Sequence, residues 1–160
     1  MNQALEEQID AVAAPYEADP TACYDKPLGD IIADIRGQHP ELEGAIPAIR
    51  ERIASAIIAD MHKKHPAWEL HRIELPDDPD ALYLFRTCTW FEYKTTKESA
   101  KSDTVSPEKQ INQDMVQRFL VYPRPASDWI QDMLPGKLVT LASMITRGMG
   151  FGQGATIKKV

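Results

Sequence analysis

Hydrophobic residues recur every three or four positions in the N-terminal part of the chain, and this period predicts helices. The clearest run places large apolar side chains on one helical face: Ile46, Ile49, Ile53, Ile57 and Met61. Pro47 suits the first turn of this helix and Pro66 ends it. Shorter amphipathic helices are predicted over residues 2–14 and 28–37, with a proline-rich loop between them.

The period changes to two after Trp68, where aromatic and β-favouring residues alternate with polar ones. The pattern predicts strands over residues 67–75 and 81–94, joined by the turn sequence PDDPD. A long polar loop is predicted over residues 94–110, followed by a third strand over residues 115–122. Helices are predicted again from Ser127 and from Lys137 to Arg147.

The order of these elements predicts an α+β fold. Strands do not alternate with helices, so a doubly wound nucleotide-binding sheet is not expected. We expect a small antiparallel sheet of about three strands with the N-terminal and C-terminal helices packed on it. Residues 1–147 are predicted to form a single domain, and residues 148–160 an extended or flexible tail.

Composition narrows the class of protein. The chain has 160 residues and is 43% apolar, which is typical of a globular protein with its own core. Its apolar runs fall short of the ~20 residues that span a bilayer, and its N-terminus is acidic, without the features of a secretory leader. We therefore expect a cytoplasmic protein with no membrane partner, in which Cys23 and Cys88 are free thiols.

The charge is unevenly distributed along the chain. The net charge is −6 overall, but residues 1–34 carry −7 and residues 93–160 carry +4. No acidic residue follows Asp132. One end of the chain is therefore anionic and the other cationic.

The C-terminal sequence RGMGFGQGATIKKV places glycine at every second position from Gly148 to Gly154. The glycines follow a predicted helix and precede none, so they do not form a phosphate-binding loop, and no cofactor is expected. In an extended conformation they leave the intervening side chains on one face. Ordering such a segment is costly, so we expect it to be disordered or to be ordered by a partner. The predicted partner-binding residues are Met149, Phe151, Gln153, Lys158 and Lys159.

Other chemistry is weakly indicated. His62, His65 and His71 are weak candidates for a metal site, because adjacent lysines and Pro66 disfavour ligation. No nucleophile motif is present, so no catalytic residue is predicted. A small enzyme whose site is assembled from distant residues is a further alternative.

These observations favour a non-enzymatic protein-protein interaction module, a small subunit or adaptor of a larger assembly. Its partner would be another protein or neighbouring copies of the same chain. One alternative is nucleic-acid or nucleoprotein binding through six basic residues: Lys94, Lys97, Lys101, Lys109, Lys137 and Arg147. Another is an acidic decoy that inhibits a nucleic-acid-binding protein.

Overall fold

The computed structural model describes residues 3–100, 107–125, 127–150 and 157–159. The predicted α+β class is confirmed: helices predominate, with one small antiparallel sheet. The chain forms two compact units. Met1–Ala67 with Leu75–Leu82 is the acidic unit, and Trp68–Glu74 with Tyr83–Val160 is the basic unit. The acidic unit has 15 acidic and 6 basic residues, and the basic unit has 9 acidic and 12 basic residues.

The acidic unit contains three α-helices and two short 3₁₀ helices. The α-helices are α1 (Gln3–Ala18), α2 (Leu28–Gln38) and α3 (Ile46–Lys64), and the 3₁₀ helices are Pro20–Cys23 and Pro40–Ala45. The predicted apolar stripe of α3 is buried along its whole length. Burial of one helical face is therefore what stabilises α3.

The proline-rich segment after residue 14 is more regular than predicted. Helix α1 continues through Pro15 to Ala18, and Pro20 opens a 3₁₀ helix. Asp19 caps that helix by accepting a hydrogen bond from the Ala22 backbone N–H at 3.4 Å. Proline fits the first position of a helix because the amide hydrogen that it lacks has no partner there.

Asp60 on α3 forms hydrogen bonds and an ion pair that hold the segment after α1 against α3. Its Oδ2 accepts hydrogen bonds from the Tyr24 hydroxyl at 2.5 Å and the Thr21 hydroxyl at 3.0 Å, and Lys64 Nζ lies 2.9 Å away. Lys64 also donates to Thr21 and lies 5.0 Å from the centroid of the Tyr24 ring. The hydrogen bond from Tyr24, followed by those from Lys64 and Thr21, lowers the pKa of Asp60 below its ordinary value.

Arginines make further cross-links within the acidic unit. Arg52 of α3 contacts Asp10 and Glu17 of α1, and these carboxylates raise its pKa. The largely buried Arg50 donates to the Ala81 carbonyl oxygen at 2.6 Å. Charged side chains thus join segments that are distant in sequence.

The strands are divided between the two units: Leu75 of the first strand and Asp78–Leu82 of the second belong to the acidic unit, and the other strand residues and the remaining helices belong to the basic unit. The strands are β1 (Leu70–Leu75), β2 (Asp78–Arg86), β3 (Leu120–Tyr122) and β4 (Ile157–Lys159). The helices are α4 (Trp90–Ala100), α5 (Pro107–Phe119), α6 (Ser127–Asp132) and α7 (Pro135–Gly148). The strand order is β3-β2-β1-β4, and β4 runs antiparallel to β1 with Ile157 opposite Ile73.

Several predicted boundaries differ from the structure. Strand β2 ends at Arg86, and residues 90–100, which were expected in a strand and a loop, form α4. Residues 107–119 form α5, so the predicted third strand is reduced to Leu120–Tyr122. Met115 and Phe119 are buried four residues apart, which is a helical spacing. The fourth strand, β4, was not predicted.

Within the described residues, no helix is both long enough and apolar enough to cross a membrane. The predicted division of the chain at residue 147 stays a prediction.

The Asp60 cluster generates a stability prediction. Tyr24→Phe removes one hydrogen bond to a carboxylate and should lower the free energy of unfolding by about 1.5 kcal/mol at neutral pH. The folded pKa of Asp60 lies below that of the unfolded chain, about 3.9. The stabilisation is therefore present above that value and is lost as the pH falls through the folded pKa. Urea unfolding of wild type and variant at neutral and acidic pH measures the difference.

Tyr16→Phe is the matched control because it deletes the same hydroxyl from half-buried Tyr16 on α1 of the same unit. It should leave the free energy of unfolding nearly unchanged. A Tyr24→Phe effect as small as that of the control would contradict the prediction.

Candidate functional site

Helix α4 begins with a reciprocal pair of hydrogen bonds. The Thr89 N–H donates to Glu92 Oε2 at 2.8 Å, and the Glu92 N–H donates to Thr89 Oγ1 at 3.2 Å. This is a capping box, in which two side chains satisfy amide hydrogens that the first turn of a helix leaves unpaired. It fixes the first turn of α4, which carries Trp90 and Phe91.

Trp90 and Phe91 are exposed, at 65% and 77% of their surface. The Trp90 and Tyr93 ring centroids are 5.7 Å apart, and Lys97 Nζ lies 5.4 Å from the centroid of the Tyr93 ring. Lys94 is also exposed. We call Trp90, Phe91, Tyr93, Lys94 and Lys97 the α4 surface, on which aromatic rings and ammonium groups lie side by side.

A cavity of about 250 Å³ adjoins this surface. It is lined by residues of β2, α4 and α5: Arg86, Phe91, Glu92, Thr95, Thr96, Arg118 and Phe119. We call it the arginine cleft.

Arg86 is fixed and charge-balanced within the cleft. Its guanidinium carbon lies 5.3 Å from the Phe119 ring centroid and 5.8 Å from that of Trp68. It donates a hydrogen bond to Glu92 at 3.3 Å. The Thr89 N–H and, after it, Arg86 lower the pKa of Glu92 below its ordinary value. Arg86 and Glu92 therefore form an ion pair near neutral pH.

Arg118 differs from Arg86 in having no carboxylate partner among the described residues. It donates to the Thr96 hydroxyl at 3.3 Å, and the fully buried Thr96 donates to the Glu92 carbonyl oxygen at 2.8 Å. This chain of hydrogen bonds positions the exposed Arg118 beside Phe91 in the lining of the cleft. The cleft can therefore attract an anionic group.

The structure distributes the predicted basic residues over several elements. Lys94 and Lys97 lie together on α4, whereas Lys137 and Arg147 lie at opposite ends of α7. Lys137 Nζ is 5.2 Å from the Tyr83 ring centroid. Lys109 lies in α5, and Lys101 falls outside the described residues.

The predicted tail residues are only partly described. The Met149 sulfur lies 3.1 Å from the Cys88 sulfur, and Lys158 and Lys159 lie in β4. Phe151 and Gln153 fall outside the described residues. Burial raises the pKa of Cys88, which makes its thiol a poor nucleophile.

The three histidines that were candidate metal ligands do not come together on one element. His62 is in α3, and His65 follows the last residue of that helix. His71 in β1 stacks on Phe85, with ring centroids 5.1 Å apart, and its Nε2 lies 3.1 Å from Glu69 Oε1. In the described part of the chain, no three His, Cys, Asp or Glu side chains are grouped as a metal ion requires.

Sequence reasoning did not assign Arg86, Trp90, Phe91 or Arg118 to a site. The signal that was available is the capping box Thr89-x-x-Glu92, which predicts that a helix starts at the aromatic segment. The proximity of Arg118 to α4 depends on tertiary packing.

No protein-family model matches this chain, and neither does any curated protein or solved structure. The function proposed below therefore rests on the geometry of the chain itself.

The capping box generates a second prediction. Thr89→Ala removes the N-cap side chain and should lower the free energy of unfolding by about 1 kcal/mol. It should also speed hydrogen exchange of the amides in α4, because the first turn frays more readily. Urea unfolding and amide exchange measure the two effects.

Thr95→Ala is the control, because it makes the same change inside α4, where alanine is the better helix former. It should not lower stability. Equal effects of the two substitutions would show that the cap does not hold α4.

Proposed function

We propose that this chain is a non-enzymatic protein-interaction module, a small subunit or adaptor that binds an acidic segment of a partner protein. The observation that carries the proposal is the α4 surface, where exposed Trp90 and Phe91 lie beside cationic side chains and the arginine cleft. The apolar rings provide contact area, and the cations select a partner of opposite charge.

The exposure of the two aromatic residues supports binding. A buried aromatic side chain contributes much of the energy of a core or an interface. Most of the surface of Trp90 and of Phe91 stays exposed in this chain, although the two residues are adjacent and lie on a capped helix. Tryptophan and arginine are enriched among the residues that dominate binding energy, and both occur here.

The net charges of the two units support the proposal that the partner is acidic. The basic unit is net +3 and the acidic unit is net −9. An acidic segment is therefore attracted by one unit and repelled by the other, which favours one binding orientation. An acidic surface on a neighbouring copy of the chain meets the same requirement.

The C-terminal tail supplies a second contact in this proposal. Met149, Phe151, Gln153, Lys158 and Lys159 would extend the interface, with Phe151 as the apolar anchor. Phe151→Ala should weaken binding of a full-length partner less than Phe91→Ala does, because the primary contact is on α4. Titration calorimetry with one partner and both variants compares the two contributions.

Single-stranded nucleic acid is a second candidate ligand. The observation that favours it is the series of Trp90, Tyr93 and Lys97, because bases stack on aromatic rings and phosphates pair with lysines. The net charge of −6 weighs against it, because nucleic-acid-binding domains usually carry a strong net positive charge, and the basic unit carries only +3.

Peptide selection tests the proposal. Random peptides displayed on phage are selected on the full chain, and the affinity of a synthetic consensus peptide is then measured by fluorescence anisotropy. We expect peptides rich in Asp and Glu around a large apolar residue, with affinity that falls as salt rises. Phe91→Ala and Arg118→Gln should each weaken binding at least about tenfold.

Two matched variants serve as controls. Leu134→Ala truncates a residue that is 74% exposed in the same unit, and Lys63→Gln removes one exposed positive charge from the acidic unit. Both should leave the affinity nearly unchanged. Selection of neutral peptides, or equal losses in test and control variants, would contradict the proposal. Tighter binding of a competing thymidine oligonucleotide would favour the nucleic-acid candidate.

A further inference from the structure

A second cavity, of about 230 Å³, lies among α4, α5 and α7 of the basic unit. We call it the helix cavity. Its lining combines apolar and polar side chains: Tyr93, Ile111, Asn112, Met115, Val139, Ala142, Ser143, Thr146 and Arg147. Tyr93 belongs to both this cavity and the α4 surface, but the arginine cleft has a separate set of lining residues.

One part of the lining is apolar. Met115 and Ala142 are buried, Ile111 is half-buried, and Val139 is 52% exposed. The inward stripe of α7 is formed by other residues, including Leu138 and Leu141. Val139 therefore presents a branched hydrocarbon to the cavity, where a ligand that covers it removes apolar surface from water.

The other part of the lining is polar. Ser143, Thr146 and Arg147 lie at neighbouring positions on α7 because residues three and four apart share a helical face. The Thr146 hydroxyl donates to the Ala142 carbonyl oxygen at 2.8 Å. Ser143 and the Asn112 side chain form no hydrogen bond with another described residue, and Arg147 has no carboxylate partner within the same ranges.

The two parts follow each other along α7. Val139 and Arg147 are eight residues apart, which corresponds to about 12 Å of helix at 1.5 Å per residue. No carboxylate is found among the described lining residues. The cavity therefore offers a hydrocarbon surface toward Val139 and a guanidinium toward Arg147, with the Ser143 hydroxyl between them on α7.

We propose that the helix cavity binds a medium-chain aliphatic monocarboxylate. The hydrocarbon chain packs on Ile111, Met115 and Val139, and the carboxylate accepts hydrogen bonds from Arg147 and Ser143. Arginine suits this role because its planar guanidinium pairs with both carboxylate oxygens. The positive charge of Arg147 also stabilises the C-terminal end of α7. This role leaves N–H donors of its guanidinium available to a ligand. The inference does not rest on the function proposed for the α4 surface.

Titration of the full chain with octanoate, followed by amide NMR, tests the proposal. We expect saturable shifts at Ile111, Val139, Ser143 and Arg147, and about tenfold weaker binding of octanol, which lacks the charge. Arg147→Gln should remove the preference for octanoate over octanol while binding of octanol persists. Val139→Trp should reduce binding of both by filling the cavity.

Lys137→Gln is the matched control, because it removes a positive charge from the same helix but does not line the cavity. It should leave the preference for octanoate unchanged. Equal affinity for octanoate and octanol in the wild type, or an unchanged preference in Arg147→Gln, would overturn the proposal. Shifts at the same amides that depend on protein concentration without ligand would identify a second copy as the occupant and would also overturn it.

Discussion

Two hydrogen bonds between Thr89 and Glu92 cap the start of α4, the helix that lines both cavities of the basic unit. The aromatic segment that follows β2 would suit a strand by composition, but the cap favours the start of a helix at this point. Once α4 is helical, Phe91 and Thr95 line the arginine cleft and Tyr93 lines the helix cavity. Glu92 contributes further by pairing with Arg86, so one carboxylate fixes both the helix start and the end of the preceding strand.

Five arginines of the described chain fall into two groups according to their partners. Arg36, Arg52 and Arg86 contact carboxylates and cross-link neighbouring segments. Arg118 and Arg147 have no carboxylate partner within the described ranges, and each lines a cavity. A guanidinium that has no carboxylate partner and lies beside apolar side chains adds little to the stability of the fold. It is well suited to binding an anionic ligand.

The sequence predicted the helices well where one apolar stripe repeats, as from Ile46 to Met61 and from Leu138 to Ile145, although α7 begins at Pro135, two residues before the predicted start. It failed between residues 87 and 119, because the aromatic run from Trp90 to Tyr93 suited a strand by composition and the helical spacing of Met115 and Phe119 was not recognised. Local alternation is compatible with a strand or with an exposed helix, and tertiary burial decides between them. Lys94 and Lys97 were identified from charge, whereas Arg118 approaches α4 only through folding.

The distribution of aromatic residues has a consequence for spectroscopy. All three tryptophans belong to the basic unit: Trp68, Trp90 and Trp129. Intrinsic tryptophan fluorescence therefore reports the unfolding of the basic unit. Far-ultraviolet circular dichroism, in contrast, includes α1, α2 and α3 of the acidic unit. The two signals therefore distinguish a chain that unfolds in one cooperative step from one whose units melt separately.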